Sequence, residues 1–270
     1  MKCKINAVYF SATGTTEKAV KRLAYELAER FNETSINFKD FTLPSGREES
    51  LYFTDEDIVI VGVPVYAGRV PNVLLNYLDN VRAGGAKAVA VVLYGNRNYD
   101  DALIELKSIL KMNGFNVIAG GAFIGEHSFS KILAKGRPDE QDLEKVGEFA
   151  KQIYEKISSE DGQEPEIPGN KEYRPYYKPR DKNGNSVDIR KVTPKTNDDC
   201  TDCKLCVSVC PMGSIDYDDV ARLNYICIKC GACIKICPVN AKYYDDENYL
   251  KHKYELEIEF AERKEPVVFL

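Results

Sequence analysis

Two hydrophobic patterns alternate over roughly the first 158 residues. Short continuous apolar runs suit strands buried on both faces, and apolar positions three or four apart suit helices packed on one face. "KINAVYF" reads as the first strand, and residues 14–31 as a helix with Ala19, Val20, Leu23, Leu27 and Phe31 in one stripe. "INFKDF", "DIVIVGVPV", "AVAVVLY" and "NVIAGGAFI" supply four more strands. Helices are expected after Pro71, over 100–112 and over 139–157. Five strands with intervening helices imply an α/β fold: a doubly wound, five-stranded parallel sheet with helices on both faces.

That pattern places a first domain at 1–158, and beyond it the character of the chain changes. Residues 159–195 carry five prolines and few aliphatic side chains, so they read as a Pro/Tyr-rich linker. "EYRPYYKPRDKNGN" mixes tyrosine with basic groups, a combination able to bind single-stranded nucleic acid by stacking and charge. Its nearly balanced charge favours a connector whose tyrosines pack on the neighbouring domains. Residues 196–245 form a small cysteine-rich α+β domain, and 246–270 a C-terminal docking tail. Within the tail "YELEIEF" alternates as a half-buried strand would, "VVFL" is expected to dock, and His252 is expected in solvent.

Composition narrows the class. The net charge of −5 in 270 residues argues against a nucleic-acid partner. No run is long and apolar enough to span a bilayer, and no secretory leader is visible, so a cytoplasmic protein without a membrane span is expected. Nine cysteines are present, eight of them between residues 200 and 237. Without a secretory context, a disulfide module is disfavoured.

Those eight follow one rule. "CTDCKLCVSVCP" and "CIKCGACIKICP" are both C-x2-C-x2-C-x3-C-P, the second 27 residues after the first. Thiolates in such sets bind zinc or iron–sulfur clusters. Three closely spaced thiolates wrap one face of a cubane, and the distant fourth ligates the other cluster. Cluster one then takes Cys200, Cys203, Cys206 and Cys237; cluster two takes Cys227, Cys230, Cys233 and Cys210. Zinc is the alternative on ligand softness alone. Pro211 and Pro238 suit tight bends beside the clusters, Ile215 and Ile226 are expected to shield them, and Cys3 reads as a small buried hydrophobe.

Between the first strand and helix lies Ser11-Ala12-Thr13-Gly14-Thr15-Thr16, where a doubly wound fold presents a helix N-terminus to an anion. The lysine of a triphosphate loop is missing, and so is the G-x-G-x-x-G of dinucleotide folds. A single terminal phosphate fits. A hydroxyl-rich helix cap is the bland alternative. Loops "PVYAGRVP" (64–71) and "YGNRNYDDAL" (94–103) follow the third and fourth strands, at the sheet edge where ligands bind.

S/T-x-T-G-x-T after the first strand resembles the phosphate loop of the flavodoxins, which hold FMN, and the cysteine runs resemble bacterial-type two-[4Fe–4S] ferredoxins. In this order the halves resemble the fused ferredoxin–flavodoxin (iron–sulfur flavoprotein) electron carriers of anaerobes. The resemblance implies FMN and two [4Fe–4S] clusters as cofactors. Ser11, Thr13, Gly14, Thr15 and Thr16 would hold the phosphate. Pro64, Val65, Tyr66, Ala67 and Gly68 would meet the flavin ring from one loop, and Tyr94, Gly95, Asn96, Arg97 and Tyr99 from the other. Electron transfer between single-electron clusters and FMN is the expected function. The alternative is a reductase of a quinone or other small organic acceptor, with His127 and Tyr99 as candidate catalytic groups. Redox proteins or a small-molecule acceptor are the expected partners, and FMN meets a cluster of its own chain or of a homodimer mate. Tryptophan is absent, while Arg69 and Arg97 lie in the ring loops. A cation there would stabilise reduced, anionic flavin and raise its potential.

Overall fold

The computed structural model describes residues 3–181 and 183–270; Met1, Lys2 and Lys182, which fall within the expected first domain and linker, lie outside the described residues. Along the chain run β1 (Lys4–Tyr9), α1 (Thr15–Arg30), β2 (Ile36–Asp40), β3 (Leu51–Thr54), β4 (Asp57–Pro64), α2 (Leu75–Leu78), β5 (Val81–Gly84), β6 (Lys87–Tyr94), α3 (Ala102–Met112), β7 (Asn116–Ile124) and α4 (Glu140–Ser158). The second half holds β8 (Lys195–Thr196), α5 (Leu205–Ser208), α6 (Ala232–Ile236), β9 (Lys242–Tyr243), α7 (Glu247–Glu259) and β10 (Val267–Phe269).

The main sheet has the order β10-β7-β6-β4-β1-β2. Its five expected strands are parallel. A sixth corrects the expectation: "VVF" of the tail adds β10 antiparallel to β7, with Val268 opposite Gly121. The sheet is buried on both faces, as the continuous apolar runs require. Val8, Val61, Val63 and Val92 face one core with α3, and Ala7, Ile60, Val89 and Val91 face the other with α1 and α4. The helix after Pro71 is one 3-10 turn followed by the short α2, and β3 pairs with β5 in a separate small sheet.

"YELEIEF" is not a strand; it lies in α7 and the residue after it. Asp246 caps the helix by accepting from Tyr249 N at 2.9 Å, and Tyr249, His252 and Leu256 are its buried stripe. The period-2 alternation came from glutamates carried on a helix, of which Glu257 accepts from Ser130 Oγ at 2.6 Å; Tyr254 and Ile258 are exposed. His252 is likewise not solvated. It is buried, with its ring stacked on Tyr177 at 5.6 Å. The linker tyrosines pack on the sheet domain: Tyr176 Oη donates to the Val70 carbonyl at 2.8 Å, and Tyr177 N to that of Ala67 at 2.9 Å.

Candidate functional site

The hydroxyl loop turns between β1 and α1 through Gly14, which caps the helix at φ 81°, a left-handed conformation suited to glycine. Ser11 ties the turn: its N donates to Thr42 Oγ1 at 2.8 Å, and its Oγ accepts from Glu17 N at 3.0 Å. The first N–H groups of α1 have no intrahelical partner, which leaves a positive edge facing the carboxyl ends of the strands. Lys18 is turned aside, donating to the Pro138 carbonyl at 2.7 Å.

A cleft opens at that edge. Thr13, Thr15 and Thr16 line one end; Pro64, Val65 and Tyr66, then Tyr94 and Gly95, line its sides. Gly125, Glu126, His127 and Ser128 from the β7–α4 connection close it, together with Cys230 of the cysteine module. His127 Nδ1 accepts from Phe129 N at 3.1 Å, so the neutral ring carries its proton on Nε2. Burial above all, then the charges of Lys235, His252 and Arg97, pull its pKa down to about 3. Burial pushes the Tyr94 phenol up to about 12. It raises Tyr66 well above the usual range, with help from the Cys230 and Cys227 thiols.

Other expected residues are engaged elsewhere. Ser11 and Gly14 shape the turn without lining the cavity. The Ala67 and Gly68 carbonyls accept from Tyr177 N and Asp101 N. Asn96 Nδ2 donates to the Phe260 and Glu262 carbonyls at 2.6 and 2.8 Å, gripping the tail. Tyr99 packs on Tyr94 at 5.7 Å between centroids, outside the lining. Each expected cation has a carboxylate partner. Arg69 pairs with Glu105 through Nε and Nη2 at 2.7 and 2.6 Å, and Arg97 pairs with Asp100 beneath the Tyr177 ring. Neither lines the cavity, and the carboxylate partners weaken the expectation of a raised flavin potential.

The cysteines surround two further cavities. Cavity one, about 320 Å³, is lined by Cys200, Cys203, Cys206 and Cys237, with Val220 and Lys242. Cavity two, about 360 Å³, is lined by Cys210, Cys227, Cys230 and Cys233, with Ile215, Ile226 and Tyr244. Each holds three cysteines of one run and the fourth of the other. Ile215 is buried as expected, but Ile226 shields only partly, being 61% exposed. All nine cysteines are free thiols, and Cys3 is buried at the start of the sheet. Backbone N–H groups point at sulfur: Ser214 N to Cys210 at 3.3 Å, Lys229 N to Cys227 at 3.4 Å, and Ala241 N to Cys237 at 3.2 Å. Among the described residues no three His, Cys, Asp or Glu side chains converge as a single ion requires. Four thiols spread around a void suit the larger iron–sulfur cubane, and N–H donors to sulfur suit any metal-bound thiolate.

The module docks on the cavity's own loop. Gly231 has φ 75°, and a Cβ there would lie 2.3 Å from the Ser128 carbonyl oxygen. Lys235 pairs with Glu126 and donates to the Ser130 carbonyl at 3.1 Å, while Arg47 donates to that of Pro211. Sequence reasoning missed Ser128 and the second role of Cys230, because both depend on the path of the linker.

A family model described as NADPH-dependent FMN reductase matches residues 5–130, and one described as a 4Fe-4S dicluster domain matches residues 190–246. Solved structures similar to the first half include a flavodoxin from the domain Archaea, 15% identical over 57% of this chain and 99% of that one (TM-score 0.41). Flavodoxin 2 from Bacillus cereus is 17% identical over 57% and 99% (TM-score 0.43). The rubredoxin oxygen:oxidoreductase of the anaerobe Desulfovibrio gigas is 20% identical over 58% and 36% (TM-score 0.34). No curated protein matches the sequence. The chain joins a domain of flavodoxin-like fold to a region that matches a 4Fe–4S dicluster domain. No helix among the described residues is long and apolar enough to cross a membrane.

Proposed function

We propose that the chain is an electron-transfer protein in which two [4Fe–4S] clusters, one per four-cysteine cavity, are coupled to an FMN in the cavity at the sheet edge. The observation that carries this reading is that Cys230 lines both the sheet-edge cavity and cavity two. When bound, FMN accepts one or two electrons and each cluster one, so their pairing joins single-electron and two-electron chemistry.

Thr13, Thr15 and Thr16 and the N-terminus of α1 bind the phosphate. Pro64, Val65, Tyr66, Tyr94 and Gly95 hold the ring and exclude water. His127 would offer its Nε2–H as a donor to the bound group, because a group with a pKa near 3 is neutral at working pH. Cys230 is the shared wall, so transfer runs within one chain without a dimer mate. A reducing cytoplasm keeps such thiols competent.

A reductase of a small organic acceptor is the second reading, favoured by the match to an NADPH-dependent FMN reductase model. In it His127 orients the acceptor; Tyr99, outside the cavity lining, supports Tyr94 instead.

Anaerobic purification with iron, sulfide and flavin assays tests the leading reading. About eight irons and one FMN per chain are expected. Zinc, or failure to bind flavin, sinks it. A cluster-to-flavin transfer rate that is independent of protein concentration supports transfer within one chain, and one that rises with concentration refutes it. Saturable, selective turnover of one acceptor favours the reductase.

A further inference from the structure

Tyr244 follows the second cysteine run at the position that Tyr217 holds after the first, 27 residues earlier. The two tyrosines have opposite fates. Tyr217 is 66% exposed, lies under the Lys204 ammonium at 5.0 Å, and does not line cavity one. Tyr244 is 8% exposed and lines cavity two. Its hydroxyl is buried with no hydrogen-bond partner among the described residues.

A buried phenol without an acceptor is costly and calls for an explanation. The ring has little freedom to escape. It packs on Tyr249 of α7 at 4.2 Å between centroids, and Tyr249 packs on Phe129 at 4.7 Å. A neutral phenol carries one O–H that can donate. The sulfur-rich cavity is the acceptor at hand.

We propose that the Tyr244 O–H donates a hydrogen bond to sulfur of the cluster held in cavity two and raises that cluster's reduction potential. The inference rests on the two-cluster reading above. A donor to sulfur stabilises the more negative, reduced state more than the oxidised one. Tyr244 thus tunes the cluster directly; no proton or electron passes to it.

Tyr244→Phe removes only the hydroxyl. In an anaerobic redox titration of the intact chain followed by EPR, the midpoint of one cluster is expected to fall. Its reduction equilibrium should change by up to about tenfold, which is about 59 mV for one electron. The other cluster and the flavin should hold, and Tyr217→Phe should move neither cluster. An unmoved midpoint with all iron and flavin retained overturns the proposal while leaving the two-cluster reading intact. Wild-type protein with half the expected iron, or with zinc, overturns the reading and this inference with it. If the variant cannot keep its cluster, pulsed EPR of reduced wild type in H₂O and D₂O decides. In ¹⁵N-labelled protein, an exchangeable proton coupled to the cavity-two cluster and not carried on nitrogen supports the hydrogen bond, and finding only N–H protons such as those of Ser214 and Lys229 overturns it.

Discussion

The two cysteine cavities share one ligand pattern and differ in almost everything around it. Cavity one includes the exposed Cys203, and the acidic segment Asp198, Asp199 and Asp202 runs alongside it. Cavity two buries Cys230 and Cys233 and shares Cys230 with the sheet-edge cavity. Where cavity two has the apolar Ile215, the equivalent residue in cavity one is Lys242. Spacing of thiolates selects the kind of group that binds; the side chains beyond the thiolates separate the duties of the two copies. On this reading cavity one faces outside partners and cavity two faces the flavin.

Ligand removal breaks the comparison most severely. Cys203→Ala and Cys230→Ala should each lose about half of the iron, because each strips one cluster of a ligand. Their kinetic effects should differ. Cys203→Ala keeps transfer between the remaining cluster and the flavin, measured by flash photoreduction, while Cys230→Ala abolishes it. Equal loss in both variants would refute the division of duties.

Lys242→Ile makes cavity one resemble cavity two at a single position. Lys242 is 3% exposed and donates to Thr196 Oγ1 at 2.7 Å and to the Val220 carbonyl, both neutral acceptors. A buried ammonium needs a counter-charge, and thiolates of cavity one are close. The Lys242 charge already opposes the rise that burial imposes on the Cys206 thiol. Removing it should lower the midpoint of the cavity-one cluster by about 59 mV, tenfold in equilibrium, in a redox titration. Lys242→Arg should restore most of the shift. No shift, or an equal shift in both clusters, would show that the ammonium is not specific to cavity one.

Much of this was legible in the sequence. The eight cysteines sort into the two cavities as their spacing implies, since the sets follow from a repeat with fixed intervals. The five parallel strands were legible because strands buried on both faces must be continuously apolar. What escaped was set by long-range packing. β10 is three residues long, too short to carry a pattern, and gains its place by pairing with β7. In α7 the alternating glutamates masked a helical stripe of Tyr249, His252 and Leu256. Arg69 looked like a free cation because Glu105, on α3, reaches it only on folding, whereas Asp100 lies three residues from Arg97 and that pair was readable in the loop itself. The shared wall at Cys230 was equally invisible, since a linker's path is not written in its local composition.

The smallest expected effect concerns a turn that both halves share. Lys204 and Gly231 are equivalent in the repeat, and each caps a short helix in the left-handed region, at φ 61° and 75°. A lysine tolerates that turn in cavity one because its side chain runs outward to Asp202 and the Tyr217 carbonyl. At Gly231 a Cβ would meet the Ser128 carbonyl oxygen, the docking point between cavity two and the sheet-edge cavity. Gly231→Ala should therefore combine backbone strain with a displaced loop and cost about 1–3 kcal/mol, whereas Lys204→Gly should stay within about 1 kcal/mol of wild type. Thermal unfolding of the intact, cluster-loaded chain measures both. If the turn were merely a turn, the two substitutions would differ only by strain, and cluster-to-flavin transfer would be unchanged in Gly231→Ala. A slowed transfer with iron and flavin retained would instead show that the missing side chain sets the spacing between the two redox sites.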